Sequence, residues 1–310
     1  MKRMMSAVLL ATPLVLLSTT ACQPLSSLAA QASRSSQTPT SSAAPAAPTT
    51  AASSTPPAPS TPASTRTSTP RTSSSTSAPR TTSSSAAAPA PAPARTCTNP
   101  AFTTSDPDGG WSTGGYYVHN NMWNQGEAGP ETLHACSYNN WYVDSTQPNT
   151  TSVKTYPNVH KDINNLDGSP LSSYSTITST FAGRGPGTGI YDVAYDIWLN
   201  GVGQGSGVTE LMVWTENVRQ VPSGRKVATY SAGGVTYDVW RNDSGYIAFV
   251  AQSTLYSGNI DIKAMIDWSV GQNFIPRNPT VNQIGYGIEF CSTNGTQARF
   301  SVSDFSVTMN

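Results

Sequence analysis

Charge, histidine and cysteine are all scarce in this 310-residue chain, and each shortage removes a class of function. Only 11% of residues are charged, and there are three histidines and four cysteines. His119, His134 and His160 do not fall at zinc-finger or zinc-protease spacing, and no C-x-x-C occurs, so neither a metal nor a cofactor is expected. No glycine run has the G-x-G-x-x-G or P-loop pattern, and Gly201-Val-Gly-Gln-Gly-Ser-Gly207 precedes a strand. Acids are missing altogether before Asp106, and aromatics are missing between residues 23 and 95.

The formal charge of zero hides an asymmetry. From Cys97 onward there are ten Lys or Arg against all seventeen acids, a net charge of −7. An acidic domain argues against nucleic acid, whose phosphates call for clustered basic residues. A neutral polymer is compatible with it.

The one long apolar run follows Lys2 and Arg3, extends from about Met4 to Leu17, and ends in Thr19-Thr-Ala-Cys22. Residues 1–22 read as a secretory signal, too short for a comfortable membrane span. Cys22 directly after Ala21 also resembles a lipobox, with Thr19 where an aliphatic residue is usual, so acylation of Cys22 and tethering to the bacterial surface is one expectation and plain secretion the other. Residues 23–96, almost all Ser, Thr, Ala and Pro, bury too little apolar surface to offset ordering entropy and read as a disordered linker. Fully extended at roughly 3.1 Å per residue, such a linker reaches on the order of 200 Å. Residues 97–310 are left as one folded domain, expected to be monomeric. In an exported domain Cys97 and Cys136 are the expected disulfide, which leaves Cys291 over.

Strand signals recur across that domain at 116–121, 136–143, 151–155, 173–181, 190–199, 208–215, 235–241, 246–251, 282–291 and 298–308, as in an all-β sandwich. One helix is predicted, from Ile262, Met265, Ile266 and Val270, with Asn259 as a candidate cap and Gly271 at its end. The glycine-rich run makes the 190–199 and 208–215 strands hairpin partners.

Two glutamates carry the chemistry. Glu210 lies in Thr209-Glu-Leu-Met-Val-Trp214 and shares a strand face with Met212 and Trp214, whereas Leu211 and Val213 point the other way. Glu289 lies in Gly285-Tyr-Gly-Ile-Glu-Phe290. On the 190–199 strand Asp192, Ala194, Asp196 and Trp198 form a polar and aromatic face, which brings Asp196 next to Glu210. Paired carboxyls across a groove are what hydrolysis of a glycosidic bond requires. Flat indoles stack on sugar rings, and Trp141, Trp198 and Trp214 are the candidates for that contact among tryptophans of which about half are expected in the core.

The blocks Tyr117-Val-His-Asn-Asn-Met-Trp123, Val153-Lys-Thr-Tyr-Pro-Asn158, Ala194-Tyr-Asp-Ile-Trp-Leu199, Thr209-Glu-Leu-Met-Val-Trp214, Tyr237-Asp-Val-Trp240 and the Glu289 strand, in that order, resemble glycoside hydrolase family 12. The resemblance implies a two-sheet antiparallel jelly roll with an open cleft on its concave sheet, and an endo-β-1,4-glucanase acting on β-1,4-linked glucan by a retaining double displacement. It implies Glu210 as nucleophile, Glu289 as acid/base and Asp196 as the nucleophile's partner. It also implies sugar contacts from Asn121, Trp123 and Met212. Retention sets the two carboxyls about 5–5.5 Å apart, and ionised Glu210 is expected to raise the pKa of Glu289. Where the family often has Trp shortly after the acid/base, this chain has Phe290-Cys291-Ser292, and a second short-loop disulfide has no counterpart. The alternatives are a xyloglucan- or mixed-linkage-glucan hydrolase of the same fold, a xylanase, and a non-catalytic carbohydrate-binding or wall-adhesion jelly roll.

Overall fold

A computed structural model describes residues 95–310. The signal segment, Cys22 and all but the last two linker residues lie outside the described residues. Sixteen strands and one α-helix follow in chain order: β1 (Phe102–Thr104), β2 (Gly110–Thr113), β3 (Tyr116–His119), β4 (Glu131–Ser137), β5 (Asn140–Ser145), β6 (Asn158–Asp162), β7 (Ser169–Pro170), β8 (Ile177–Arg184), β9 (Ile190–Leu199), β10 (Thr209–Val218), β11 (Arg225–Ala232), β12 (Val235–Arg241), β13 (Tyr246–Ala251), β14 (Ser257–Asp261), α1 (Ile262–Gly271), β15 (Thr280–Ser292) and β16 (Ala298–Met309). They form a six-stranded sheet, β1-β4-β5-β16-β8-β14, and a ten-stranded sheet, β11-β12-β13-β10-β9-β15-β6-β3-β2 with β7 beside β15. All strand pairs but β10 with β13 are antiparallel. This is the jelly-roll sandwich expected of the sequence.

Alternation decides which side of each strand enters the core. Leu133, Trp141, Val143, Phe300 and Phe305 from the smaller sheet meet Val193, Tyr195, Ile197, Leu211, Val213 and Tyr286 from the larger. Full burial of each Val, Leu, Ile or Phe contributes about 1.5–3 kcal/mol. The outer face of the larger sheet is thereby free to carry polar and aromatic side chains.

Several expected boundaries move. The 136–143 run is not one strand but the end of β4, a two-residue turn at Tyr138 and Asn139, and the start of β5. Asn139 and Asn140 are the turn signal within that run. Residues 151–155 form no strand, only isolated bridges at Ser152 and Thr155, the latter to Phe290. Helix α1 is capped by Asp261, whose Oδ1 accepts from Ala264 N at 2.9 Å; Asn259 belongs to β14. Gly110-Trp-Ser-Thr-Gly114 has G-x-S-x-G spacing, but Ser112 lies within β2 and not on a strand-to-helix turn, so it is no nucleophile elbow.

Cys97 is disulfide-bonded to Cys136, the expected pair, which ties the start of the domain to β4. Among the described residues no cysteine is free, which corrects the expectation of a leftover thiol at Cys291. The Cys291 side chain is fully buried, its Sγ 3.5 Å from Gln220 Oε1.

Glu131 is a buried acid away from the cleft. Its Oε2 accepts from Ser145 Oγ at 2.7 Å and Thr155 Oγ1 at 3.1 Å, while Oε1 meets no partner. Burial raises its pKa from 4.5 to about 8, against the opposing effect of these hydrogen bonds. The folded state therefore holds this proton more tightly than the unfolded chain does. Its stabilising effect is complete below pH 4.5 and is lost as pH rises towards 8, at most about 5 kcal/mol. Glu131→Gln is expected to remove several kcal/mol of the stability lost between pH 5 and 8, measured as urea midpoints at the two pH values. Parallel losses in variant and parent would show that this carboxyl does not titrate there.

Candidate active site

The register of the larger sheet sorts its outward side chains into transverse rows. One row runs from Tyr246 through Glu210, Trp198 and Gln283 to Asp162. The next holds Met212, Asp196, Gly285, His160, Tyr117 and Ser112. A third holds Trp214, Ala194, Gly287, Asn158, His119 and Gly110. Asp192 and Glu289 begin a fourth. Glu210 and Glu289 thus stand on β10 and β15, on either side of β9, and six residues apart along it. Both nevertheless line one cavity, so the sheet curls along β9 and brings the outer rows towards each other.

The curl encloses a cleft of about 410 Å³, lined among others by Asn121, Trp123, Tyr156, Asp196, Trp198, Glu210, Trp214, Gln220, Tyr246 and Glu289. Of the sequence-predicted residues, Asn121, Trp123, Asp196, Trp198, Glu210, Trp214 and Glu289 meet here. Met212 is buried beneath the lining, where the Trp214 indole Nε1 donates to its Sδ at 3.4 Å. Trp141 does not belong to the site. It lies on β5 of the other sheet, buried in the core, because alternation there turns Trp141 and Val143 towards the larger sheet.

Four carboxyls crowd the floor. Burial raises the pKa of Glu210, and Asp196 and Glu289 raise it further. Burial likewise raises Asp196, with Glu289 adding to it and a hydrogen bond from the Trp198 side chain opposing. Asp192 is fully buried, and its oxygens meet no partner except the carboxyl of Glu289 beside it. Burial followed by Glu289 raises its pKa as well. Glu289 is raised to about 7 by burial, with hydrogen bonds to Asp192 and Gln220 pulling the other way. Desolvation, not the charge of Glu210, is thus the principal cause of the elevated Glu289 pKa. Four such groups cannot all be ionised at neutral pH, so the cluster retains protons.

Gln220 and Asp192 were not singled out from sequence. Gln220 Nε2 donates to Glu289 Oε2 at 3.0 Å, from a loop held by Asn217 and by the left-handed Arg219, whose guanidinium donates to Gly189 O. Its neighbours Val221, Pro222 and Ser223 wall the cleft. Lys154, fully buried, donates to the carbonyls of Ser152 and Cys291 and so fixes the end of β15 just past Glu289. Tyr156 OH donates to Ala194 O at 3.0 Å, and burial keeps the hydroxyls of Tyr156 and Tyr246 protonated beside the acids.

The family model for Glycosyl hydrolase family 12 matches residues 114–310. The xyloglucan-specific endo-beta-1,4-glucanase A of Emericella nidulans is 28% identical over 220 residues, covering 65% of this chain and 90% of that protein. Endoglucanase S of Pectobacterium parmentieri is 27% identical over 210 residues, covering 58% and 77%. Among solved structures, the xyloglucanase domain of NopAA, a type three effector from Sinorhizobium fredii in complex with cellobiose, superposes with a TM-score of 0.58. It shares 30% identity with this chain, and the match covers 68% of this chain and all of that one.

Proposed function

The chain belongs to glycosyl hydrolase family 12, and from that membership we propose that it is an exported endo-β-1,4-glucanase that works with retention through Glu210 and Glu289. The observation that carries the reading is the convergence of Glu210, Asp196 and Glu289 from three adjacent strands onto one cleft floor.

In the proposed reaction, ionised Glu210 attacks the anomeric carbon while Glu289 gives its proton to the leaving sugar oxygen. The bond to the leaving sugar breaks and a glycosyl ester forms on Glu210. Glu289, now a carboxylate, takes a proton from water, and the water oxygen displaces Glu210. Asp196, whose buried carboxyl favours its protonated form, donates to Glu210 and holds it in line. Asp192 and Gln220 orient Glu289 through their hydrogen bonds to it. Trp123, partly exposed, offers its ring to the glucan, whereas Trp198 and Trp214, 4% and 1% exposed, back the lining and present no open ring face.

The relatives' names divide between xyloglucan and unspecified glucan, and the backbone common to these substrates is β-1,4-linked glucose. Full-length protein incubated with carboxymethyl cellulose, lichenan, xyloglucan and xylan is expected to release reducing ends from at least one of the glucans and not from xylan. Proton NMR of the first product should show the β-anomer, and an initial α-anomer would exclude retention. Glucan binding with no reducing ends released would favour the non-catalytic module. Export and any acylation of Cys22 remain part of the proposal, and mass spectrometry of the mature N-terminus distinguishes the two forms.

A further inference from the structure

The cleft extends well beyond the carboxyls. The row that contains Asp196 continues through Gly285 and His160 to Tyr117, one residue from each of four neighbouring strands. Strands lie about 4.8 Å apart, so Tyr117 stands roughly 14 Å from Asp196, a distance of two to three sugar rings. Gly285 leaves the floor bare along this line, since the nearest atoms around its missing side chain are 3.4 Å away or farther. At the far end the Tyr117 ring occupies the space where a side chain at Gly110 would be and leans on the rings of His119 and His160, each 5.3 Å away. A second hollow, which shares Ser112, Tyr117, His160 and Asp162 with the cleft, opens there.

The hydrogen bonds at this end are directional. Asn158 Nδ2 donates to Tyr156 O at 2.7 Å, which turns Asn158 Oδ1 towards His160 Nδ1 at 2.8 Å. Nδ1 therefore carries the imidazole proton, and Nε2 presents a lone pair. Burial lowers the pKa of His160 to about 4, so the ring is neutral in ordinary media. Its Nε2 lies 3.6 Å from Asp162 Oδ1, which Gln283 Nε2 holds at 2.8 Å. Two acceptors side by side next to a partly exposed aromatic ring match adjacent sugar hydroxyls next to an apolar ring face.

We propose that Tyr117, His160 and Asp162 form a distal sugar site, in which Tyr117 stacks on a pyranose while His160 Nε2 and Asp162 accept from two of its hydroxyls. The site rests on the glucanase reading and deepens it. Its occupant is either the next backbone glucose of an unbranched chain or a sugar pendant from a branched one.

The test compares full-length protein with Tyr117→Ala, Tyr117→Phe and Asp162→Asn on cello-oligosaccharides of three to six units and on xylogluco-oligosaccharides. The readout is the ratio of kcat/KM between the longest and the shorter substrates. Tyr117→Ala and Asp162→Asn are expected to lower that ratio about tenfold, whereas Tyr117→Phe keeps the ring and the ratio. A drop confined to long unbranched chains assigns the site to backbone glucose, and one confined to branched substrates assigns it to the pendant sugar. Wild-type ratios in Tyr117→Ala and Asp162→Asn on both series would overturn the site while leaving the glucanase reading intact. If the parent protein cleaves none of these substrates, the glucanase reading fails, and calorimetric binding of the same oligosaccharides decides the site separately. Lost affinity in Tyr117→Ala then sustains it, and unchanged affinity overturns it.

Discussion

Glu210→Gln is expected to lower kcat on glucan by on the order of 10⁴–10⁶, the scale on which hydrolases lose turnover when a nucleophile is removed. The amide keeps the shape of the side chain but cannot form the glycosyl ester. Because burial and the neighbouring acids Asp196 and Glu289 make a charge at Glu210 costly, the variant should be at least as stable as the parent at neutral pH. Removal of a raised acid abolishes the stability lost as pH climbs through its folded-state pKa. Thermal unfolding at pH 7 beside initial rates separates the two effects. An inactive variant that is also unfolded would say nothing about nucleophilicity, but an inactive variant with an unchanged or higher Tm identifies an acid kept for chemistry at a cost in stability. A folded variant with parental turnover would refute the assignment.

How much of this site could be read beforehand depended on whether the deciding contact was local. Strands β9 and β12 match their predicted ranges residue for residue, because alternation over seven to ten residues is a local signal. The outward face of β9 was legible for the same reason, and Asp192 and Asp196 were both on it. What could not be read was that Asp192 sits opposite Glu289, since that depends on the register between β9 and β15, ninety residues apart. Gln220 reaches Glu289 from a loop, where no periodicity exists to be read. Trp141 failed for a different reason: a tryptophan on an alternating strand has a face but no indication of which sheet it belongs to, and β5 belongs to the sheet without the cleft. Edge strand β11 was missed because, exposed along most of its length, it has little apolar alternation.

For Glu289→Gln the expected loss is about 10²–10⁴ in kcat/KM on natural glucan, and its size should depend on what departs. Glu289 is proposed to protonate the leaving oxygen, so an aryl cellobioside whose phenol leaves readily needs that proton far less. The variant should therefore retain much more activity on the aryl substrate than on glucan. A nucleophile variant would lose both alike. The pH profile supplies a second reading. With the Glu289 pKa raised to about 7 by burial, the protonated acid prevails below that pH, so kcat/KM of the parent on glucan is expected to fall as pH rises through about 7. Glu289→Gln should lack that alkaline limb. Asp192→Asn tests the carboxyl beside it: an amide N–H is a weaker donor to a carboxylate than a carboxyl O–H, so Glu289 would keep its proton to higher pH and the limb should move upward. A limb that survives in Glu289→Gln, or equal losses on glucan and aryl glycoside, would move the acid role to another of the four carboxyls, with Asp192 the first to examine because it shares its hydrogen bond with Glu289 alone.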